Sequence, residues 1–289
     1  MVTKPTNYHV GGIGIILRCL EKKAAITLLD SYSSDELLET IEKFPITFVS
    51  LVPAQLKLLA KNKAILEKLK TVMTSGASIS AEFLEAFSDI NIKTAYGLTE
   101  FCSAIAISDH DLAWLKVLPN TNLKILLNDN EVAAGVVGEI CIRGASQFDR
   151  YLNSDLQLTS QGYFRTGDLG VFNENKQLKI LGRSDRVIIS GGENINPEYI
   201  ENILAAYPGL NSVAILAIDH ELWGQRPVVI VEKNLEFDSN LFTDFIKNNL
   251  SKLYQPDKIV FLEKIPRTTI GKIDYQKLKQ SINLLQGKS

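Results

Sequence analysis

The sequence predicts an α/β fold followed by a small α+β domain, and three changes of pattern along the chain carry that expectation. From Ala25 to Tyr96, short β-branched runs alternate with helical segments. From Asn122 to Leu181, brief strands are joined by Asn, Asp and Gly turns, and after Arg183 helices and longer strands return. In order, the first part gives strands at Ala25–Leu29, Ile46–Val52 and Thr71–Ser75, followed by helices at Ser34–Lys43, Pro53–Lys61 and Ser80–Phe87. Ser34 stands at an N-cap position and Pro53 where a helix starts. Strands at Leu123–Leu127, Gly138–Arg143 and Leu178–Leu181 make the middle a β-rich, barrel-like subdomain. The last part gives a helix at Asn196–Ala206, strands at Ser212–Asp219 and Val228–Glu232, a helix at Asn240–Leu250 and a terminal helix after Asp274. No repeat or low-complexity linker intervenes, so the boundary falls near Ser184 and Asp185. The expected domains are 1–184, divided into an α/β part (1–108) and a β-rich part (109–184), and 185–289.

Composition narrows the function. With 289 residues, 31 Lys plus Arg against 33 Asp plus Glu and a net charge of -2, the chain offers no electrostatic case for nucleic acid or an anionic membrane. A small soluble ligand is expected instead. Cys19, Cys102 and Cys141 form an odd, widely spaced set without metal-ligand spacing, which predicts unpaired core thiols in a reducing compartment, no disulfide and no zinc site. No apolar run reaches the ~18 residues of a membrane span, and Met1 to Tyr8 lacks the features of a signal peptide. A cytoplasmic protein is expected.

Several short motifs carry chemistry. Tyr96-Gly97-Leu98-Thr99-Glu100 ends a strand, turns at the glycine and presents a hydroxyl beside a carboxylate. An aromatic face suits a purine, the hydroxyl a phosphate oxygen and the carboxylate a hard cation; the plainer reading is a strand-to-helix turn capped by Thr99. Ser75-Gly76-Ala77-Ser78 follows another strand and offers backbone donors with little side-chain bulk. Asp168, after Thr166-Gly167, suits the two hydroxyls of a ribose, or else an Asx-type turn between hairpin strands. In Gly182-Arg183-Ser184-Asp185-Arg186, Arg183 presents a planar fork to a ribose or phosphate, or pairs with Asp185. Gly191-Gly192-Glu193 lets a backbone pass close to a narrow ligand, or simply turns. Lys272, behind Gly271, sits on a flexible polar mount far from the other motifs.

In this order the six motifs resemble the adenylate-forming superfamily of acyl-CoA synthetases, adenylation domains and luciferases, over about His9 to Asp274. Within it, His9-Val10-Gly11-Gly12 and the uninterrupted architecture look most like the o-succinylbenzoate-CoA ligases of menaquinone synthesis. The resemblance implies activation of a carboxylic acid by ATP as acyl-AMP, with magnesium, and transfer of the acyl group to CoA. It also implies roles for individual residues. Tyr96 and Gly97 would hold adenine with Gly76 and Ala77, Thr99 the α-phosphate, Glu100 the magnesium, and Asp168 and Arg183 the ribose. Lys272 would bridge the acyl carboxylate and the phosphate as a positioned cation. Asp185 would be a hinge, Gly191, Gly192 and Glu193 a loop guiding the CoA thiol, and His9 a neighbour of the acyl pocket. Two other expectations stand beside it: an amino-acid or aryl-acid adenylation domain that loads a carrier protein, and a catalytically impaired adenosine-binding module.

The pattern departs from the family in three places. Only eight residues precede His9, where the family carries a Gly-, Ser- and Thr-rich phosphate loop, so a fragment or a truncated relative is expected. Such a chain would expose an apolar face and favour association, a homodimer for example. Leu115 to Asn120 lacks the usual glycine-rich turn, and Phe148-Asp149-Arg150-Tyr151 lacks a glycine before Tyr151.

Overall fold

The computed structural model describes residues 2–3, 10–29, 33–52, 55–56, 59, 62–75, 87–108, 111–153, 155–268 and 271–286. These divide into two compact units, one up to Ile180 and one from Leu181 onward.

In the first unit, the helices α1 (Val10–Glu21), α2 (Ser34–Lys43) and α3 (Lys63–Leu66) accompany the strands β1 (Val2–Thr3), β2 (Thr27–Leu28), β3 (Phe48–Leu51), β4 (Thr71–Ser75) and β5 (Ile92–Leu98). β1 pairs in parallel with β2 and β3, then β3 with β4 and β4 with β5. The order continues through β6 (Ser103–Ser108), β7 (Leu115–Val117), β12 (Leu178–Arg183), β11 (Phe164–Phe172), β10 (Gly138–Gly144), β8 (Thr121–Leu127) and β9 (Asn130–Glu131). The β-rich segment is therefore hydrogen-bonded edge to edge with the α/β strands. Leu37, Leu38 and Ile41 recur on one face of α2 and are buried with Val49, Leu51 and Val72, which alternate inward along β3 and β4. The cap of α2 is Ser33, not Ser34: its hydroxyl accepts the Glu36 N–H at 3.0 Å, a bond worth about 1 kcal/mol at such a position. The helices expected at Pro53–Lys61 and Ser80–Phe87 fall mostly outside the described residues.

The second unit holds β13 (Ile188–Ser190), β14 (Glu193–Ile195), α4 (Pro197–Leu204), β15 (Leu210–His220), β16 (Gly224–Lys233), α5 (Ser239–Asn249), β17 (Lys258–Leu262) and α6 (Tyr275–Gln286). β15 and β16 form a long antiparallel hairpin, and β17, which the sequence pattern did not reveal, joins β16 in parallel. Asn196 caps α4 by accepting the Glu198 N–H, with Pro197 in the first turn. Val229 and Val231 of β16 pack against Ile200 and Leu204 of α4 and Phe242 of α5, while Val228 and Ile230 pack against Ile265, Leu278 and Ile282. The central strand is buried on both faces. Among the described residues no helix is long and apolar enough to cross a membrane. The three cysteines are thiols; Cys19 and Cys141 are buried, but Cys102, just after the turn that follows β5, is exposed.

Candidate active site

β5 is the strand at which the large sheet changes from parallel to antiparallel pairing, parallel to β4 on one edge and antiparallel to β6 on the other. Tyr96 to Leu98 end β5, and Thr99–Phe101 follow as a single 3-10 turn whose N-cap is Leu98, so Thr99 is not its capping group. Gly97 is dictated by close approach: a Cβ there would lie 2.2 Å from the Ser103 carbonyl oxygen and 2.5 Å from its carbon. The crossing coincides with a shift of register between Tyr96 and Gly97 and leaves Thr99 exposed, with Glu100 half-buried beside it.

Thr166-Gly167-Asp168 lies within β11 and not in a tight loop. Arg165 pairs with Cys141 and Leu169 with Glu139, so three residues face one and the strand bulges. Thr166 Oγ1 donates to the Ile140 carbonyl at 2.7 Å and accepts the Asp168 N–H at 3.0 Å, while the Gly167 N–H donates to Glu139 Oε1 at 3.1 Å. The other Glu139 oxygen accepts from Arg165 at 2.6 Å, so one carboxylate fastens both sides of the bulge. The bulge aims the buried Asp168 carboxylate at Tyr96, whose hydroxyl donates to Oδ2 at 2.5 Å.

The segment Phe148 to Tyr151, a mere departure in the sequence, is placed against Glu100. The Phe148 N–H donates to the Glu100 carbonyl at 2.8 Å and the Tyr151 hydroxyl to Glu100 Oε1 at 2.7 Å. The Phe148 ring meets Tyr151 edge-on at 4.7 Å and Phe164 at 6.0 Å. Two aromatics bracketing a short polar run were the only sequence signal for this. No cluster of three metal-ligating side chains occurs among the described residues. One hard carboxylate on an open turn nevertheless fits magnesium, which keeps several waters and takes phosphate oxygens for the rest of its shell. Gly76, Ala77 and His9 lie outside the described residues.

In the second unit, Arg183 and Asp185 pair through Nε–Oδ1 at 3.1 Å and Nη2–Oδ2 at 3.3 Å. The guanidinium holds the Asp185 carboxyl below the usual carboxylate range. Arg186 donates to Glu198 Oε1 at 2.6 Å and Glu201 Oε1 at 2.7 Å, and its guanidinium lies 3.7 Å from the Tyr275 ring centroid. The Tyr275 hydroxyl in turn donates to Glu201 at 2.9 Å. Burial pushes up both the Glu198 carboxyl and the Tyr275 phenol. Gly191 and Gly192 turn between β13 and β14, with the Gly191 N–H donating to the Trp223 carbonyl at 2.8 Å; Glu193 is exposed.

Lys272 is exposed, and the described residues on either side of it are hydrogen-bonded to one another. Arg267 and Ile273 pair as an antiparallel bridge, and the Thr268 N–H donates to the Lys272 carbonyl at 2.8 Å. The Gly271 N–H donates to the Thr268 carbonyl at 2.9 Å, and Gly271 takes φ 85°, the left-handed residue that closes a short hairpin loop. Ile265, fully buried, and Tyr275 anchor its two ends.

Comparison with known proteins adds the following. The AMP-binding enzyme family matches residues 2–152, and the AMP-binding enzyme C-terminal domain matches residues 199–272. The 2-succinylbenzoate–CoA ligase of Staphylococcus epidermidis is 30% identical over 294 residues, 98% of this chain and 61% of the ligase. The indoleacetate–CoA ligase of Aromatoleum aromaticum is 30% identical over 295 residues, 95% of this chain and 58% of that protein. The structure of o-succinylbenzoate coenzyme A synthetase from Bacillus subtilis, in complex with ATP and magnesium ion, superposes with a TM-score of 0.88 at 24% identity. That match covers 96% of this chain and 61% of the synthetase. The chain thus spans about three fifths of the length of the curated relatives it matches.

Proposed function

This chain belongs to the AMP-binding enzyme family, and we propose that it acts as an ATP-dependent, AMP-forming acyl-CoA ligase with o-succinylbenzoate as the acid. The observation that carries the reading is the meeting of Tyr96 of β5 and Asp168 of β11, an aromatic face and a buried carboxylate drawn together from strands distant in sequence. An adenosine needs both, one for the purine and one for the ribose hydroxyls. The names of the relatives support the acid and the thiol.

On this reading Tyr96 lies against adenine, Asp168 accepts from the ribose hydroxyls, and the exposed Thr99 hydroxyl donates to the α-phosphate. Arg183 joins the ribose by exchanging its pairing with Asp185. Glu100, oriented by Tyr151, holds magnesium, which when bound neutralises phosphate charge. Lys272 spans the acyl carboxylate and the α-phosphate, aligning the carboxylate oxygen for attack and offsetting charge on phosphorus as pyrophosphate leaves. It acts through charge and position and transfers no proton. The CoA sulfur then attacks the acyl carbon and AMP departs, with Gly191 and Gly192 guiding the thiol and Asp185 serving as the hinge between domains 1–184 and 185–289. Gly76, Ala77 and His9 belong to the same proposal as adenine and acyl-pocket residues. A cytoplasmic setting suits substrates of this kind. Ile13, Leu17 and Leu20, exposed on one face of α1, support association into a homodimer.

The test incubates the chain with ATP, magnesium, CoA and either o-succinylbenzoate or indoleacetate, and follows acid-dependent pyrophosphate exchange and the thioester by mass spectrometry. Exchange with o-succinylbenzoate that Lys272→Ala reduces by about a hundredfold or more is the expected result. Equal exchange in the variant removes the lysine from the mechanism, and preference for indoleacetate removes the acid.

A further inference from the structure

Between its anchored ends, the Lys272 turn also meets the body of its domain through the Arg267 side chain. Arg267 donates through Nη1 to the Gly271 carbonyl at 3.0 Å and through Nη2 to Ser212 Oγ at 2.9 Å. Gly271 immediately precedes Lys272, and Ser212 stands in β15 next to the shift of register between Leu210 and Ser212. The guanidinium therefore bridges the tip of the hairpin to the long β15–β16 hairpin behind it. Only a planar fork with donors fixed relative to one another holds two acceptors at a set separation; an ammonium on a flexible stem reaches either one without fixing the distance between them. Arg267 is itself exposed, so its bonds contribute little to global stability and act mainly on where the turn sits.

We propose that Arg267 is a positioning residue for Lys272: braced against Ser212, it holds the Gly271 carbonyl and so fixes the origin from which the Lys272 side chain reaches the nucleotide. The proposal rests on the reading of Lys272 given above, and its test separates the two.

Hydrogen exchange of peptides covering Thr268 and Gly271 to Ile273 reads the brace alone, with no need for turnover. Arg267→Met is expected to speed exchange there about fivefold, the effect of one lost hydrogen bond, with Ser212→Ala giving a smaller increase and no further increase in the double variant. Peptides from β15, β16 and α6 should keep their protection. Both Arg267→Met and Arg267→Lys should keep the parent's midpoint of thermal unfolding, and Arg267→Lys should not regain the local protection. The functional arm labels the chain with adenosine diphosphopyridoxal, reduces the adduct and maps it. Modification of Lys272 should slow severalfold in Arg267→Met, while acetylation of Lys272 by a small unselective reagent stays unchanged. Unchanged exchange around Gly271, or equal labelling by the adenosine reagent, overturns the proposal. Failure of the adenosine reagent to label Lys272 in the unaltered chain, with the brace intact by exchange, overturns instead the role given to Lys272.

Discussion

The Tyr96 hydroxyl donates to Asp168 Oδ2 at 2.5 Å although 72 positions separate the two residues. Each reaches the other from an irregularity in its strand: the register shift beside Gly97 in β5 and the bulge at Thr166 to Asp168 in β11. Tyr96→Phe removes the bond and keeps the ring. The variant should lose about 1–2 kcal/mol of stability, as expected for a hydrogen bond to a buried carboxylate, and retain most of its affinity for AMP. Asp168→Ala should lose AMP binding at least tenfold in titration calorimetry. Equal loss in both variants would assign the affinity to the pair and not to the carboxylate.

Gly97→Ala tests the close crossing of β5 and β6. Its Cβ has no room beside the Ser103 backbone, and backbone does not swing aside as a long side chain does. The expected cost is about 2–4 kcal/mol in urea unfolding. A cost below about 0.5 kcal/mol would show that the two strands separate easily.

Tyr151→Phe should weaken magnesium-dependent nucleotide binding by a few-fold and leave magnesium-free AMP binding alone, because only the orientation of Glu100 depends on the phenol. Isothermal titration with ATP, with and without magnesium, checks this. An identical effect in both conditions would place Tyr151 in general packing.

The Arg186 cluster sets a pH dependence. Burial raises the folded pKa of Glu198, so its contribution is full below the unfolded value near ~4.3 and declines as pH rises through the folded value. Glu198→Gln keeps the shape without the charge. Its stability should fall less than that of the parent as pH rises from about 4 toward neutrality, measured by chemical denaturation at each pH. Parallel profiles would mean that the Glu198 carboxyl titrates alike in the folded and unfolded chain.

The cysteines separate by environment. Burial, with Glu139 nearby, pushes the Cys141 thiol up to about 12, whereas Cys102 is exposed. In the folded chain at pH 8, Cys102 should react with a disulfide reagent much faster than Cys141, as read by peptide mapping. Comparable rates would mean that β10 opens readily.

The alternation of strands and helices up to Tyr96 and the six ordered motifs were legible in the sequence, because local patterning and short glycine-punctuated turns are local properties, whereas the β-rich segment continues the same sheet as the α/β strands. The cap of α2 fell within a residue of the expected place, Ser33 standing next to Ser34. The chain alone therefore determined which residue types would be offered: a tyrosine, two carboxylates, a threonine and a lysine behind a glycine. The tertiary structure decided how they are held. Thr166 to Asp168 reads as a loop until its partner strand is known, since a bulge is a mismatch between two strands and not a property of either. Tyr151 reads as a gap in a pattern until Glu100 is seen beneath it. Arg267 reads as one more polar residue beside Lys272 until its bond to Ser212, on a strand 55 positions away, is seen. Hydrogen-bond partners distant in sequence leave no local periodicity, so only folding brings them into view.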